Sequence, residues 1–247
     1  MKRVYIVVEG QTEQEFVNSV ISPYLQEFGI LSVTPVLIRT SRTGRGGMVS
    51  YSHLANTIRP LLMSEKSDYI VTTFIDFFRL PHDMPHYEDC MKKPDKIEQI
   101  QLLEAAIDEA IDDRRFFSYI QLHEFEALLF SSNKGFEYYF SEELAAKTAS
   151  IISSYDNPED INTSPEGAPS KRLLAIKSDY NKVLEGNLIA LEIGKRSSST
   201  QQSPSILKPS GEWGIGLRYK SAGAFYFKQN KEYKSRITRG IADDAAF

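Results

Sequence analysis

The stretch that decides the fold is KRVYIVVEGQTEQEF at residues 2–16, where a short apolar run ends at Glu9 and a helical pattern follows. Apolar residues then recur with helical spacing at Phe16, Val17, Val20, Ile21, Tyr24, Leu25 and Phe28. Thr12 and Glu15 have the spacing of a capping box, and Gly29 stands where a helix of this length would end. The stretch therefore predicts a buried strand followed directly by a helix, which is the beginning of an α/β unit.

The same alternation of strand and helix continues along the chain. Apolar runs at 33–38, 69–75 and 116–122 predict further strands, and helical patterns at 54–62 and 97–111 separate them. We expect the acidic residues of the helix predicted over 97–111 to face solvent, namely Glu98, Glu104, Asp108 and Asp112. This alternation indicates an α/β fold with a mostly parallel sheet flanked by helices.

Charge is divided unevenly along the 247 residues. Residues 1–194 carry 19 Lys and Arg against 29 Asp and Glu, whereas 195–247 carry 10 against 4. An acidic body disfavours tight, sequence-independent binding of duplex nucleic acid unless bound metal ions reverse its sign locally. The single cysteine, Cys90, excludes an internal disulfide and a cysteine-based zinc cluster, and we expect it to lie in a loop.

Composition also predicts location and domain organisation. The longest apolar runs are far shorter than the roughly 20 residues that cross a bilayer, and no signal-like segment follows the start, so we expect a cytoplasmic protein. We predict an α/β core over 1–140 and a helical C-terminal extension of the same domain over 141–194. Residues 195–247 lack periodicity and are basic, so we expect a weakly ordered tail, for which a frameshift or altered terminus is one hypothesis.

Acidic side chains stand where the predicted parallel strands end. Glu9 follows the first strand and Asp76 follows the apolar run YIVTTFI, and the carboxyl ends of parallel strands meet at one edge of a sheet. Asp76 at such a place is a natural magnesium ligand, or alternatively the cap of a helix or turn. Glu9 can hold a metal-bound phosphate beside the helix N-terminus, or be a solvated carboxylate in an ordinary turn. Glu13, one turn further on, can support the same site or only favour the helix N-terminus electrostatically.

A second candidate group lies in HEFEALLF, residues 123–130. His123 and Glu126 are three residues apart, which places them on one helical face if the helix has already begun, and Glu124 would then project elsewhere. The pair can be a metal or acid/base unit, or a hydrogen-bonded structural pair, which is the more common outcome.

Basic residues supply candidate phosphate contacts in two places. RTSRTGRGG at 39–47 combines Arg45 with glycines that let the backbone approach a phosphate, but it lacks the Lys-Ser/Thr ending of a P-loop. APSKRL at 168–173 places Lys171 and Arg172 at a predicted helix start. In both places a solvated surface is the alternative to a phosphodiester contact.

Four motifs in this order resemble one known family. VVEGQTEQEF, FIDFFRLP, LHEFEALLF and APSKRL together look like the bacterial Toprim-like family of unknown function numbered 4276 (DUF4276), over about residues 1–194. The resemblance implies a Toprim-like fold, as in topoisomerases, primases and overcoming-lysogenization-defect nucleases, and genes that often lie in anti-phage defence loci.

The resemblance also implies roles for particular residues. Glu9 matches the position of an acid/base residue or metal ligand, Asp76 that of a ligand for Mg²⁺ or Mn²⁺, and Glu126, less clearly Glu124, that of a third acidic group. The implied function is metal-dependent phosphodiester cleavage or phosphoryl transfer on nucleic acid, by a nuclease-like hydrolase acting as a defence effector. The alternative is a non-catalytic Toprim-like partner that binds an ATPase or a nucleotide.

Two departures from the family pattern bear on activity. A Toprim second motif is Asp-x-Asp, whereas this chain has Asp76, Phe77 and Phe78, so one carboxylate is absent. The site then binds one metal, borrows Glu124 or Glu126, or is inactive. The second departure is the basic segment after Gly194, where a further helix would be expected.

Overall fold

The computed structural model describes residues 3–27, 29–40, 47–64, 69–155, 161 and 167–194, together with two short strands at 217–220 and 224–227. Within these residues, no helix has both the length and the apolar character that crossing a membrane requires.

A parallel sheet forms the centre of the protein. Its strands are β1 (Arg3–Val8), β2 (Ser32–Leu37), β3 (Tyr69–Asp76), β4 (Phe116–Phe117) and β5 (Ile120–Gln121). β1 is flanked by β2 and β3, and both β4 and β5 pair with the far side of β3. Every pairing in this sheet is parallel, which confirms the predicted α/β fold with a parallel sheet. The strand predicted over 116–122 is divided into the two short strands β4 and β5.

Helices cover both faces of the sheet. They are α1 (Gln11–Phe16), α2 (Ser22–Glu27), α3 (Tyr51–Ser64), α4 (Tyr87–Cys90), α5 (Lys96–Ile111), α6 (Phe125–Leu129), α7 (Lys134–Tyr139), α8 (Glu142–Ser153), α9 (Pro169–Ile176) and α10 (Asn187–Gly194). A π-helical turn over Val17–Ile21 joins α1 to α2, and a second one over Lys182–Gly186 leads into α10. The predicted helical C-terminal portion is thus present.

Alternating side chains of β1 point into two separate cores. Val4, Ile6 and Val8 belong to a core shared with α1, α6, α7 and α10, whereas Val7 belongs to a core shared with α3 and α5. A strand buried on both faces must be apolar at consecutive positions, because successive side chains point to opposite sides. This is why the run before Glu9 is continuous rather than alternating.

The first helix begins earlier than the sequence predicted. Its N-cap is Gly10, without a side-chain cap, and Thr12 is buried inside the first turn, so the capping box predicted from Thr12 and Glu15 is wrong. Gly29 does end the second helical segment with φ 82°, a left-handed conformation that favours glycine, as expected. Cys90, expected in a loop, is instead the buried last residue of α4.

The acidic face predicted for α5 is only partly exposed. Glu104 is 7 % exposed and its Oε1 accepts a hydrogen bond of 3.1 Å from the Ile120 amide, which contradicts the expectation that it faces solvent. Asp108 Oδ1 accepts from the amide and the hydroxyl of Ser118. The amides of the interrupted strand near 118–120 need acceptors, and these carboxylates supply them. Asp112 is exposed as predicted, at the C-cap of the helix.

Residues on either side of position 140 share one core. Phe125 and Phe136 pack in the same cluster as Ala145, Leu173 and Ile189. This common core supports our proposal that 141–194 extends the 1–140 core as one domain. The expectation for the tail at 195–247 lies outside the described residues, except for the antiparallel pair β6 (Leu217–Lys220) and β7 (Ala224–Phe227).

Replacing Glu104 with alanine is expected to lower the free energy of unfolding by about 1–3 kcal/mol, because the buried Ile120 amide loses its acceptor. Glu104→Gln keeps a side-chain oxygen in the same place and is expected to lose less. Urea unfolding of the two variants and the unchanged protein measures both effects. Equal stability of the alanine and glutamine variants would contradict this role for Glu104.

Candidate active site

Two carboxylates meet at the carboxyl edge of the sheet. Glu9 directly follows β1 and Asp76 is the last residue of β3, the neighbouring parallel strand. The Asp76 amide donates a hydrogen bond of 3.0 Å to Glu9 Oε1. Glu9 also accepts a 2.8 Å hydrogen bond at its carbonyl from the Gly47 amide, so its backbone and side chain are both held. The structure therefore brings together the two residues that the sequence placed at strand ends.

Glu13 joins this pair through the turn at Gly10. A Cβ atom at position 10 would lie 2.8 Å from Glu13 Oε2, so the absence of a side chain there lets the Glu13 carboxylate approach the end of β1. Glu13 is 8 % exposed, although it lies in the first turn of a helix. The turn thus directs a third acidic side chain toward Glu9 and Asp76.

Burial and nearby negative charge make ionisation of Glu9 and Asp76 unfavourable. Burial and the negative charges of Glu9 and Glu13 raise the pKa of Asp76 well above its ordinary value. Burial first, and then Glu13, raises the pKa of Glu9 from 4.5 to about 7, while the Asp76 amide opposes this rise. Like charges held close together in a poorly solvated place favour the neutral forms or attract a cation.

A lysine that the sequence did not single out supplies positive charge to this group. Lys182 lies in the π-helical turn before α10, and its Nζ is 3.0 Å from Glu126 Oε2. The positive charge of the same ammonium opposes the rise in the pKa values of Glu9 and Asp76 without cancelling it. The sequence around Lys182 has no strand pattern and no sustained helical period, so nothing in it singled out this lysine. The only local signal was Asn181 directly before it, and the structure shows that the Asn181 side chain caps the π-helical turn.

Glu126 is directed into the protein. It is 0 % exposed, burial is the main cause of its raised pKa, and neither of its oxygens has a hydrogen-bond donor in good geometry among the described residues. The 3.0 Å approach of Lys182 is therefore an ion pair held by charge more than by hydrogen-bond alignment. The contact that the structure shows for Glu126 is with Lys182, and its predicted role as a metal ligand stays a prediction.

Glu124 and His123 have positions of their own. Glu124 is the N-cap residue of α6, and its Oε2 accepts from the Ser170 amide at 3.2 Å, while Oε1 lies 3.9 Å from the Arg79 guanidinium. His123 precedes the helix and is 3 % exposed. Because α6 begins only at Phe125, His123 and Glu126 do not share a helical face, which corrects that expectation.

Two of the three candidate phosphate contacts, Lys171 and Arg172, are adjacent residues of α9. Lys171 is exposed in the first turn of α9. The Arg172 guanidinium donates to the Gly167 carbonyl and to the Tyr155 hydroxyl, both at 2.8 Å, and so holds the start of α9 in place. Arg45 lies outside the described residues.

A divalent cation fits this site as a two-carboxylate ligand set. Among the residues that the structure describes, no group of three or more His, Cys, Asp or Glu side chains is placed to hold a metal ion. Mg²⁺, however, is commonly bound through one or two carboxylates, with water and substrate phosphate completing its shell. Burial raises the pKa of both Glu9 and Asp76, and these are the two residues whose charge a cation would stabilise.

The raised pKa of Glu9 predicts a pH-dependent stability of the metal-free protein. Between pH 4.5 and about pH 7 the folded protein holds a proton on Glu9 that the unfolded chain releases. The free energy of unfolding therefore falls as the pH rises through this window. Glu9→Gln keeps the acceptor for the Asp76 amide and is expected to flatten this decline. Denaturant unfolding at about pH 5 and about pH 8 measures the slope. The same slope in both proteins would refute the prediction.

Lys182→Met is expected to lower the free energy of unfolding by about 1–3 kcal/mol at neutral pH, because it leaves the Glu126 carboxyl buried without its cation. Adding Glu126→Gln should restore part of the loss, since the group left behind is then uncharged. Lys171→Met, at an exposed position, is the control and is expected to change stability by less than about 0.5 kcal/mol. Additive effects of the Lys182 and Glu126 substitutions in thermal unfolding would show that the two residues do not interact.

Comparison with known proteins supplies the family. No curated protein matches the chain. Two solved structures share 15% identity with it over 76% of its length: the C-terminal region of the Burkholderia pseudomallei OLD protein, with 85% of that chain covered and a TM-score of 0.36, and the corresponding region from Xanthomonas campestris pv. campestris, with 82% covered and a TM-score of 0.33. Similarity at this level implies nothing about activity. The family described as a domain of unknown function (DUF4276) matches residues 8–206, past the point where the motif resemblance ended, and the chain therefore belongs to this family.

Proposed function

We propose that this protein is a metal-dependent enzyme that cleaves or transfers phosphodiesters of nucleic acid. The observation that carries the proposal is the hydrogen bond between two neighbouring strand ends. The backbone amide of Asp76, at the end of β3, donates at 3.0 Å to the carboxylate of Glu9, which follows β1. Two acids held in this way at a sheet edge, each with a raised pKa, are an arrangement that a cation and a phosphate would stabilise.

Glu9 and Asp76 are the residues that would hold Mg²⁺ or Mn²⁺. The bound ion would supply charge for the phosphate oxygens and orient the attacking water or hydroxyl. Water and phosphate oxygens would complete its shell, because the two carboxylates provide only part of it. Glu124 stays a further candidate, since its carboxylate is only partly buried and lies beside Arg79.

The chain's own residues position charge and protons around the phosphate. Glu9 has one oxygen fixed by the Asp76 amide, which leaves the other oxygen to bind the ion or to exchange a proton. Lys182, held by Glu126, contributes a positive charge that favours an anionic phosphate near the carboxylates. Arg79, whose side chain is 67% exposed, contributes a second positive charge on the solvent side.

The biological role follows from the family resemblance rather than from the site. Genes with the motifs of this family often lie in anti-phage defence loci, which supports a role as a defence effector. The partner that we propose for it is an ATPase. A cytoplasmic location fits such a role.

One observation favours a non-catalytic alternative. Phe78 stands where the Toprim pattern has its second aspartate, and no group of three metal-binding side chains is assembled within the described part of the chain. A protein with a decayed site would bind an ATPase or a nucleotide without cutting nucleic acid.

A cleavage assay with Mg²⁺ or Mn²⁺ tests the proposal. Glu9→Gln and Asp76→Asn are each expected to reduce cleavage of DNA or RNA by about 100-fold or more, because each removes a charge at the reacting phosphate. Glu15→Gln is the matched control, since Glu15 is exposed on α1, the helix that follows Glu9, and it should retain full activity. Activity that survives both site substitutions would refute the assignment.

Calorimetric titration with Mn²⁺ separates the enzyme from the alternative. If the protein is an enzyme of this kind, it should bind Mn²⁺, and Glu9→Gln should abolish the binding. A decayed site should show no uptake that depends on Glu9.

A further inference from the structure

An exposed aromatic ring lies immediately beside the carboxylate pair. Phe78 is the middle residue of a single 3₁₀ turn, Phe77–Arg79, that follows β3, and it is 48% exposed. Its Cα atom can be at most about 7 Å from that of Asp76, because a single residue, Phe77, separates them. The ring thus belongs to the turn that directly follows the strand end at Asp76.

The ring is supported from the protein side. The His123 imidazole lies nearly parallel to it, with 5.5 Å between centroids and an interplanar angle of 14°. The Phe77 ring meets its edge at 5.4 Å and 74°. His123 is itself 3 % exposed, so its position is fixed by the surrounding structure. Phe78 is therefore a buttressed ring, whereas a merely solvated phenylalanine would lack such support.

Positive charges lie around this ring within an otherwise acidic body. The Lys96 ammonium is 4.5 Å from the centroid of Phe78, which is the distance of a cation–π contact. Lys96 is exposed at the start of α5, and the contact that the structure shows for its ammonium is with this ring. Arg79 follows Phe78 directly and is 67% exposed. An aromatic face flanked by cations complements a base and the phosphates on either side of it.

We propose that Phe78 is a stacking platform for an unpaired base of single-stranded nucleic acid, with Lys96 and Arg79 contacting the adjacent phosphates. This inference rests on the proposed function and names its substrate class: a single strand whose phosphodiester lies at Glu9 and Asp76.

The platform predicts a particular selectivity. Every base has a π-face, so stacking favours single strands with little preference for sequence. The bases of a duplex are already stacked on one another, and exposing one is unfavourable. Lys96 has a flexible stem, so its ammonium can leave the ring for a phosphate when a base takes its place.

Binding of labelled oligothymidylate and oligouridylate in EDTA, followed by fluorescence anisotropy, tests the platform without cleavage. Phe78→Leu keeps an apolar side chain but no π-face, and it is expected to weaken binding by roughly 5- to 100-fold. Phe78→Trp should retain the affinity, and its added indole fluorescence, measured against Trp213 of the unchanged protein, should be quenched by the strand. Thymidine monophosphate as competitor shows whether a free nucleotide is sufficient or whether a strand is required.

An abasic strand of the same length is the decisive control, because it offers the phosphates without the bases. Its binding should be insensitive to Phe78→Leu but weakened by Lys96→Gln. Equal loss on the abasic strand, or no binding of any single strand by the unchanged protein, would overturn the platform. If Phe78-dependent binding is found without metal-dependent cleavage, the proposed activity alone fails. If cleavage is found and Phe78→Leu binds normally, the platform alone fails.

Discussion

The hydrogen bond from the Asp76 amide to Glu9 Oε1 depends on the parallel pairing of β1 with β3, and the candidate site is arranged around it. A side chain that leaves the end of one strand can reach the backbone of the next only if the second strand extends slightly further. The register achieves this, because Val8, the last residue of β1, lies opposite Phe74, and β3 continues for two more residues to Asp76. The Glu9 carboxylate is thereby fixed at the edge of the sheet, where parallel α/β proteins place their functional groups.

Charge balance is the second constraint on this edge. Glu9, Glu13 and Asp76 repel one another, and their desolvation raises the pKa of both Glu9 and Asp76. Lys182, from the C-terminal part of the described chain, opposes this repulsion, and the buried carboxylate of Glu126 lies 3.0 Å from its ammonium. Glu126 and Lys182 thus connect the two halves of the described chain electrostatically, as the shared apolar core connects them by packing.

Phe78 gives this edge of the sheet an exposed aromatic surface. A carboxylate at that position would add negative charge to a group that already carries three acids. The phenyl ring adds none, and it rests on His123, which itself comes from the segment that leads into α6. The carboxyl ends of β3 and β5 therefore contribute an acidic group and an aromatic surface side by side, and this juxtaposition is what suits a charged ligand that also has flat apolar rings.

Local patterns were sufficient for the parallel sheet and for the placement of Glu9 and Asp76 at its edge, because a continuous apolar run reports a strand buried on both faces and its last residue is read directly from the sequence. They also indicated the family through four short motifs. Local patterns failed where a side chain is satisfied by a distant segment. Glu104 looked like part of a solvated helix face, yet it accepts from the Ile120 amide across the helix–strand contact. The approach of Glu13 to Gly10 is local and depends on α1 beginning directly after that glycine. Only the tertiary structure brought Lys182 to Glu126 and stacked Phe78 on His123, because each of these contacts joins segments whose approach is set by core packing and not by any local period.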